Sequence, residues 1–158
     1  MGSGKSHWGR IWADETHYQF VDLDTEIEKN SSQTIDEIFK RYGEDHFRFL
    51  ESEILRSFKE RDNYIIACGG GTPCFHNNLE WMNENGISVY LQAFPDQLTQ
   101  RLISEKSKRP LIKNIDDDDL LLFIEKKLQE REKFYLQAKF IVPVEKANNS
   151  TIKELINA

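Results

Sequence analysis

Two short apolar runs constrain this chain more than any other feature. Tyr64 to Cys68 and Ile87 to Leu91 are nearly continuous hydrophobic stretches of strand length. A strand of this kind is covered on both faces, the condition of a parallel sheet between helical layers. Two more strand candidates, Tyr18 to Val21 and Lys139 to Val144, stand on either side of them in the chain. Helical patterns fill the intervals. Thr34-Ile35-Asp36-Glu37 reads as a capping box, followed by apolar positions Ile35, Ile38, Phe39 and Tyr42. Phe47, Leu50, Ile54 and Phe58 form a second stripe, Leu120, Ile124 and Leu128 a third, and Thr151 to Glu154 start a last short helix. Strands alternating with helices predict an α/β fold with a parallel sheet covered on both faces. Ligands bind such sheets at the carboxyl ends of the strands, so functional residues should follow each strand directly.

The bulk properties narrow the partners. A chain of 158 residues suits one domain with one sizeable core. Its net charge of -6 argues against nucleic acid as the main partner, because a phosphate-backbone binder needs a basic surface. No apolar run approaches the ~18 residues of a membrane helix, and the first residues have no signal-peptide core. The two cysteines, Cys68 and Cys74, belong to no framework of paired spacings, so they read as reduced, small apolar residues of a cytoplasmic chain. The acidic run Asp116 to Asp119 is a solvated loop or a helix start and lacks the alternating ligand spacing of a calcium loop.

Four groups of residues carry chemistry. Gly2-Ser3-Gly4-Lys5-Ser6 matches the end of a phosphate-binding loop, in which glycines turn backbone N–H groups onto phosphate oxygens. The lysine of such a loop reaches the β- and γ-phosphates, and the hydroxyl meets magnesium. Taken alone, the same five residues equally suit a flexible leader. Asp22 and Asp24 place two carboxylates at a strand end, where strand alternation puts both on one side. One can hold magnesium through water while the other takes a proton from a substrate hydroxyl; the plainer alternative is a polar strand end with Asp24 capping the next helix. Gly69-Gly70-Gly71-Thr72 marks either a close approach of substrate to backbone or a plain turn, and Pro73 suits the first turn of a helix. Arg48, Arg109 and Arg131 offer guanidinium forks for carboxylate or phosphate. For any one of them alone a solvated surface is the better reading, but Arg48 stands beside an apolar stripe, where a buried partner is wanted.

Taken together, these residues resemble the shikimate kinase family. The resemblance rests on GSGKS at residues 2–6, D-x-D at Asp22 and Asp24, and F-R-x-x-E from Phe47 through Arg48 to Glu51. It continues with G-G-G-T at residues 69–72, R-P-L from Arg109 to Leu111, and R-x-x-x-Y from Arg131 to Tyr135. Their order and spacing match over essentially the whole chain.

The resemblance implies a single three-layer α/β/α kinase domain whose parallel sheet has the order 2-3-1-4-5. Substrate-binding helices would span about residues 24–60 and a mobile lid about residues 105–116. It also implies a cytoplasmic, monomeric enzyme of aromatic amino-acid biosynthesis, moving the γ-phosphoryl of ATP to the 3-hydroxyl of shikimate without nucleic acid or membrane partners. Gly2, Ser3, Gly4, Lys5, Ser6 and His7 would hold ATP, with Lys5 on the β- and γ-phosphates and Arg109 closing over the nucleotide. Ser6 and Asp22 would serve Mg2+. Asp24 would bind the reacting hydroxyl and act as base. Arg48 and Arg131 would grip the acid's carboxylate, and Gly70 and Gly71 would offer N–H groups to the ring hydroxyls. Lid closure would exclude water, which otherwise competes as acceptor.

Two departures from the family pattern stand out. His7 replaces the usual threonine. The family's first strand and the first glycine of its loop fall before Met1, so the expectation is an N-terminally truncated chain, short of one strand between Tyr64–Cys68 and Ile87–Leu91. The rival readings are a non-catalytic domain binding a shikimate-like ligand, and another small-molecule kinase of the phosphate-loop class, such as a gluconate kinase.

Overall fold

A computed structural model describes residues 2–105, 112 and 114–158 of the chain. Four strands alternate with helices: β1 (Gln19–Asp22), β2 (Tyr64–Ala67), β3 (Val89–Gln92) and β4 (Phe140–Pro143). The helices are α1 (Lys5–Thr16), α2 (Leu23–Ser31), α3 (Ile35–Arg56), α4 (Asn78–Asn85), α5 (Pro95–Glu105), α6 (Asp117–Tyr135) and α7 (Thr151–Ile156), with a short 3-10 turn over Thr72–Cys74. Every ladder among the described residues is parallel. β1 pairs with β2, Val21 opposite Ile66, and β3 pairs with β4, Leu91 opposite Val142.

All four expected strands form, with boundaries moved by one or two residues. The largest shift is at β3, where Ile87 is 45% exposed and lies outside the ladder. The Ser88 hydroxyl is engaged by the Asn83 side chain and by the Lys139 N–H, so regular pairing starts only at Val89. The first two helical stripes as far as Ile54 belong to one helix, α3, and Phe58 falls in the turn after it. Its capping box is complete: Thr34 Oγ1 accepts from the Glu37 N–H at 3.2 Å, and Glu37 Oε2 accepts from the Thr34 N–H at 2.8 Å. Gly43, at φ 83 and ψ 176, kinks the helix in a conformation that favours glycine. The kink interrupts the apolar periodicity, and Tyr42, expected on the buried face, is exposed.

The core has two parts. Leu23, Ile27, Ile38, Phe47 and Leu55 join α2 and α3, with Ile66 and Cys68 packed against them. The second part joins α1, β3, α5, α6, β4 and α7 through residues such as Trp12, Leu91, Leu102, Leu120, Val142 and Ile152. Gly9 lets α1 lie close on β1, since a Cβ there would fall 2.6 Å from the Phe20 ring.

Between the two strand pairs there is no hydrogen-bonded pairing among the described residues. A cavity of about 810 Å3 opens there instead, walled by Ile65 and Ala67 of β2, Val89 and Leu91 of β3, and reaching Ser3 and Lys5. Strands lie about 4.8 Å apart, rise about 3.3 Å per residue and occupy a layer about 10 Å thick, so one strand residue fills about 160 Å3. The opening between the pairs is therefore roomy enough to admit a further strand.

Candidate active site

The phosphate loop leads straight into α1. Gly2 and Gly4 have φ of 71 and 88, values that side-chain-bearing residues rarely adopt. Gly4 is the N-cap of α1 and no side chain caps the helix, so its first N–H groups face outward for an anion, aided by the helix dipole. Lys5 and Ser6 open the helix, and Ser3 is buried beneath the turn. His7 is exposed and packs edge-on against Trp8, at 5.2 Å between ring centres.

The two aspartates differ in setting. Asp22 ends β1 and is the N-cap of α2, with Oδ1 accepting from the Thr25 N–H at 3.5 Å. Its Oδ2 accepts from the Ser6 hydroxyl at 2.9 Å, which ties the phosphate loop to the strand end. Asp24 lies inside the first turn of α2. The cap is thus Asp22 and not Asp24, and strand alternation does not align the pair, because the chain has already turned into helix. Asp24 is open to water on one side. Partial burial, and next the Asp22 and Glu51 carboxylates, push its carboxyl above the ordinary value of 3.8, against the opposing pull of Lys5 and Arg48.

Arg48 has the buried partner its position called for. Its Nη1 donates to Glu51 Oε2 at 2.9 Å, while Nε and Nη2 donate to Glu44 Oε1 at 3.2 and 3.0 Å. Glu51 is fully buried, and its other oxygen accepts from the Thr72 hydroxyl at 2.5 Å. Two carboxylates thus use three of the five guanidinium N–H groups and leave two for a ligand. The plane also lies over the rings of Phe47 and Phe75.

Gly69 and Gly71 are required by close approach and not by positive φ. A Cβ on Gly69 would stand 3.2 Å from Glu51 Oε1 and 3.5 Å from Asp24 Oδ1; one on Gly71 would meet the Arg48 guanidinium at 2.6 Å. Pro73 falls in the 3-10 turn that follows, before α4 begins.

On the opposite side of this loop stands α6, carrying Arg131 and Tyr135 one turn apart. Arg131 stands one turn before Tyr135, whose hydroxyl meets Gly70, and the Arg48 guanidinium lies against Gly71, so the two cations flank the same loop. Burial keeps the pKa of the Cys74 thiol raised, and it pushes Cys68 up to about 12, which disfavours the thiolate at both positions. The Tyr135 hydroxyl donates to the Gly70 carbonyl at 2.5 Å.

The structure therefore gathers Lys5, Ser6, Asp22, Asp24, Arg48, Gly70, Gly71 and Arg131 along the carboxyl ends of β1 and β2. Arg109, and the proposed lid over residues 105–116 in most of its length, lie outside the described residues. The acidic run resolves to a helix start, with Asp116 as N-cap and Asp117 to Asp119 in the first turn of α6. Glu44, Glu51, Thr72, Tyr135 and Arg101 were not picked out as site residues from the sequence. Glu51 and Tyr135 had a signal, since each sits one helical turn from an arginine already selected. Arg101 had none; its Nη1 lies 3.5 Å from the Gly2 carbonyl, across 99 positions of sequence.

Parallel strands, a glycine loop opening a helix, a serine tied to a strand-end aspartate and an apposed basic pocket define a phosphotransferase of the phosphate-loop class. The sequence model described as shikimate kinase matches residues 1–158. The chain belongs to the shikimate kinase family, and it is an ATP-dependent small-molecule kinase. It is 41% identical to the shikimate kinase of Bacteroides thetaiotaomicron over 141 residues, covering 89% of this chain and 81% of that protein. Identity to the shikimate kinase of Flavobacterium johnsoniae is 43% over 158 residues, 99% of this chain and 90% of that one. The crystal structure of the Bacteroides thetaiotaomicron shikimate kinase matches with a TM-score of 0.88 and 37% identity, covering 99% and 90% of the two chains. Shikimate kinase from Acinetobacter baumannii, solved in complex with shikimate, matches with a TM-score of 0.81 and 30% identity, covering 99% and 84%.

Proposed function

We propose that the protein transfers the γ-phosphoryl of ATP to the 3-hydroxyl of shikimate, giving shikimate 3-phosphate and ADP. The observation that carries this reading is the basic enclosure around the triple glycine. Arg48 and Arg131 approach one short loop from opposite elements, with Asp24 against Gly69 at its near end. That is a receptor for a compact molecule with a carboxylate on one side and a hydroxyl on the other.

In this reading Gly2 to Ser6, with His7 beside them, hold the ATP phosphates, Lys5 neutralises β- and γ-oxygens, and Arg109 closes over the nucleotide. Asp24 orients the reacting hydroxyl and accepts its proton, a role that suits a carboxyl whose pKa is raised above its ordinary value. Arg48 and Arg131 take the carboxylate, and the Gly70 and Gly71 N–H groups take ring hydroxyls. Ser6 Oγ and Asp22 Oδ2, 2.9 Å apart, are hard oxygen donors fit for magnesium, which binds through one or two protein oxygens with water and phosphate making up the rest. Bound there, the ion supplies charge neutralisation for the transferring phosphoryl group.

The slot between β2 and β3 belongs to the same reading: it takes one further strand, parallel to both neighbours and leading into the phosphate loop. Two parallel pairs flanking a cavity lined by β2 and β3 support this. The enzyme works as a cytoplasmic monomer. ADP release with magnesium-ATP tests the function: turnover with shikimate and none with gluconate is expected. Shikimate binding without ADP release would leave a ligand-binding domain in its place.

A further inference from the structure

We propose that the Tyr135 hydroxyl is a positioning group for the acid site: by holding the Gly70 carbonyl it sets the direction of the Gly71 N–H. The proposal rests on the reading above for the role of Gly71 and goes beyond it in naming what aims that group.

The argument begins with the peptide bond. The Gly70 carbonyl and the Gly71 N–H belong to one planar trans unit, so they point in opposite directions. Whatever fixes the carbonyl fixes the N–H. The run Gly69-Gly70-Gly71 has no side chains to resist rotation of this plane, and glycine is the residue most free to rotate it. The turn's own hydrogen bonds run from the Thr72 N–H to the Gly69 carbonyl and from the Cys74 N–H to the Gly71 carbonyl. Neither uses the Gly70–Gly71 peptide unit. The restraint comes from 65 positions away, in the 2.5 Å bond from Tyr135 Oη.

Tyr135 suits this task. Its ring packs on Tyr90 with centres 4.9 Å apart, which leaves the hydroxyl little lateral freedom. It stands one turn after Arg131 on the same helix, and the Arg131 charge acts on the phenol against the effect of burial. One side chain thus registers the arginine-bearing helix against the glycine loop. On the other face of that loop, Gly71 is wedged against the Arg48 guanidinium. The Gly71 N–H, Arg131 and Arg48 are held in one frame, and the tyrosine hydroxyl is the polar link across it.

The test is Tyr135→Phe, which keeps the ring and removes only the hydroxyl. Losing one hydrogen bond's worth of alignment should raise KM for shikimate about five- to twentyfold. The KM for ATP and kcat should stay within about twofold of the parent. A KM for shikimate that does not move, whatever happens to melting temperature, overturns the proposal. So does a parallel loss in kcat and both KM values, which marks a merely structural residue. The backbone amide resonance of Gly71, compared between parent and variant without ligand, is a second reading independent of turnover. It must shift if the hydroxyl sets this peptide plane, and an unmoved resonance overturns the proposal even if the parent proves inactive on shikimate. Failure of the shikimate reading itself shows separately, as absent turnover in the parent.

Discussion

Gly71 and Arg48 touch so closely that a Cβ on the glycine would fall 2.6 Å from the arginine Nη2. Elsewhere a long arginine could swing aside. Here Glu44 and Glu51 hold three of its N–H groups and the side chain is buried. Gly71→Ala should therefore displace a guanidinium that is already anchored, at the cost typical of overpacking, about 1–3 kcal/mol. If Arg48 grips the acid, this appears as a rise of tenfold or more in KM for shikimate, with the KM for ATP little changed. Equal losses for both substrates in steady-state kinetics would remove Arg48 from the acid site.

Glu51 joins α3 to the glycine loop, since it pairs with Arg48 and accepts from Thr72. Removing one partner of a buried ion pair strands the other charge, and that costs about 3–5 kcal/mol. Glu44 still contacts Arg48, so Glu51→Ala should fall at the low end, about 3 kcal/mol by urea denaturation. Glu51→Gln keeps an acceptor for Thr72 and should cost less. Two variants of equal stability would mean that the charge, and not the hydrogen bond to Thr72, carries the effect.

Much of this site is legible in the sequence because its parts follow strands. Asp22 and the triple glycine sit at strand ends, where a parallel sheet presents its ligands, and the fourfold alternation of strand and helix is plain in the apolar runs. What escaped was set by tertiary contact. Strand logic predicted a common side for Asp22 and Asp24, whereas the chain turns into α2 between them. Helical spacing puts Tyr42 on the apolar face of the first stripe, and the kink at Gly43 leaves it exposed. Tyr135 was visible only as part of a motif; its bond to Gly70 spans 65 residues and leaves no local trace.

The slot between β2 and β3 gives a prediction about folding. An unfilled gap of about 810 Å3 lined by Ile65, Val89 and Leu91 leaves apolar surface and two strand edges unsatisfied. Adding a short run of β-branched apolar residues ahead of the phosphate loop should raise the melting temperature and strengthen ATP binding. Residues 1–158 alone should melt broadly. A sharp cooperative transition, together with micromolar ATP affinity for those residues, would show that the slot needs no further strand.

Asp24 yields a prediction in which stability and activity move in opposite directions. Its folded pKa lies above the ordinary 3.8, raised first by burial and then by Asp22 and Glu51. Below pH 3.8 the group is protonated in both states and has no effect on stability. Between 3.8 and the raised value the folded state binds the extra proton, so stability falls as pH rises through that window. Above it the cost of a partly desolvated charge crowded by Asp22 and Glu51 is fully present. Asp24→Asn removes that cost and should raise the melting temperature at pH 7. Its advantage over the parent should shrink as pH is lowered through the raised pKa. The same change deletes the proposed base and should lower kcat by about 10²- to 10⁴-fold while leaving ATP affinity nearly intact. Thermal melts at several pH values and initial rates on the same two preparations decide it. A variant that is both less stable and only slightly slower would mean that Asp24 is a structural cap, and the proton would need another acceptor.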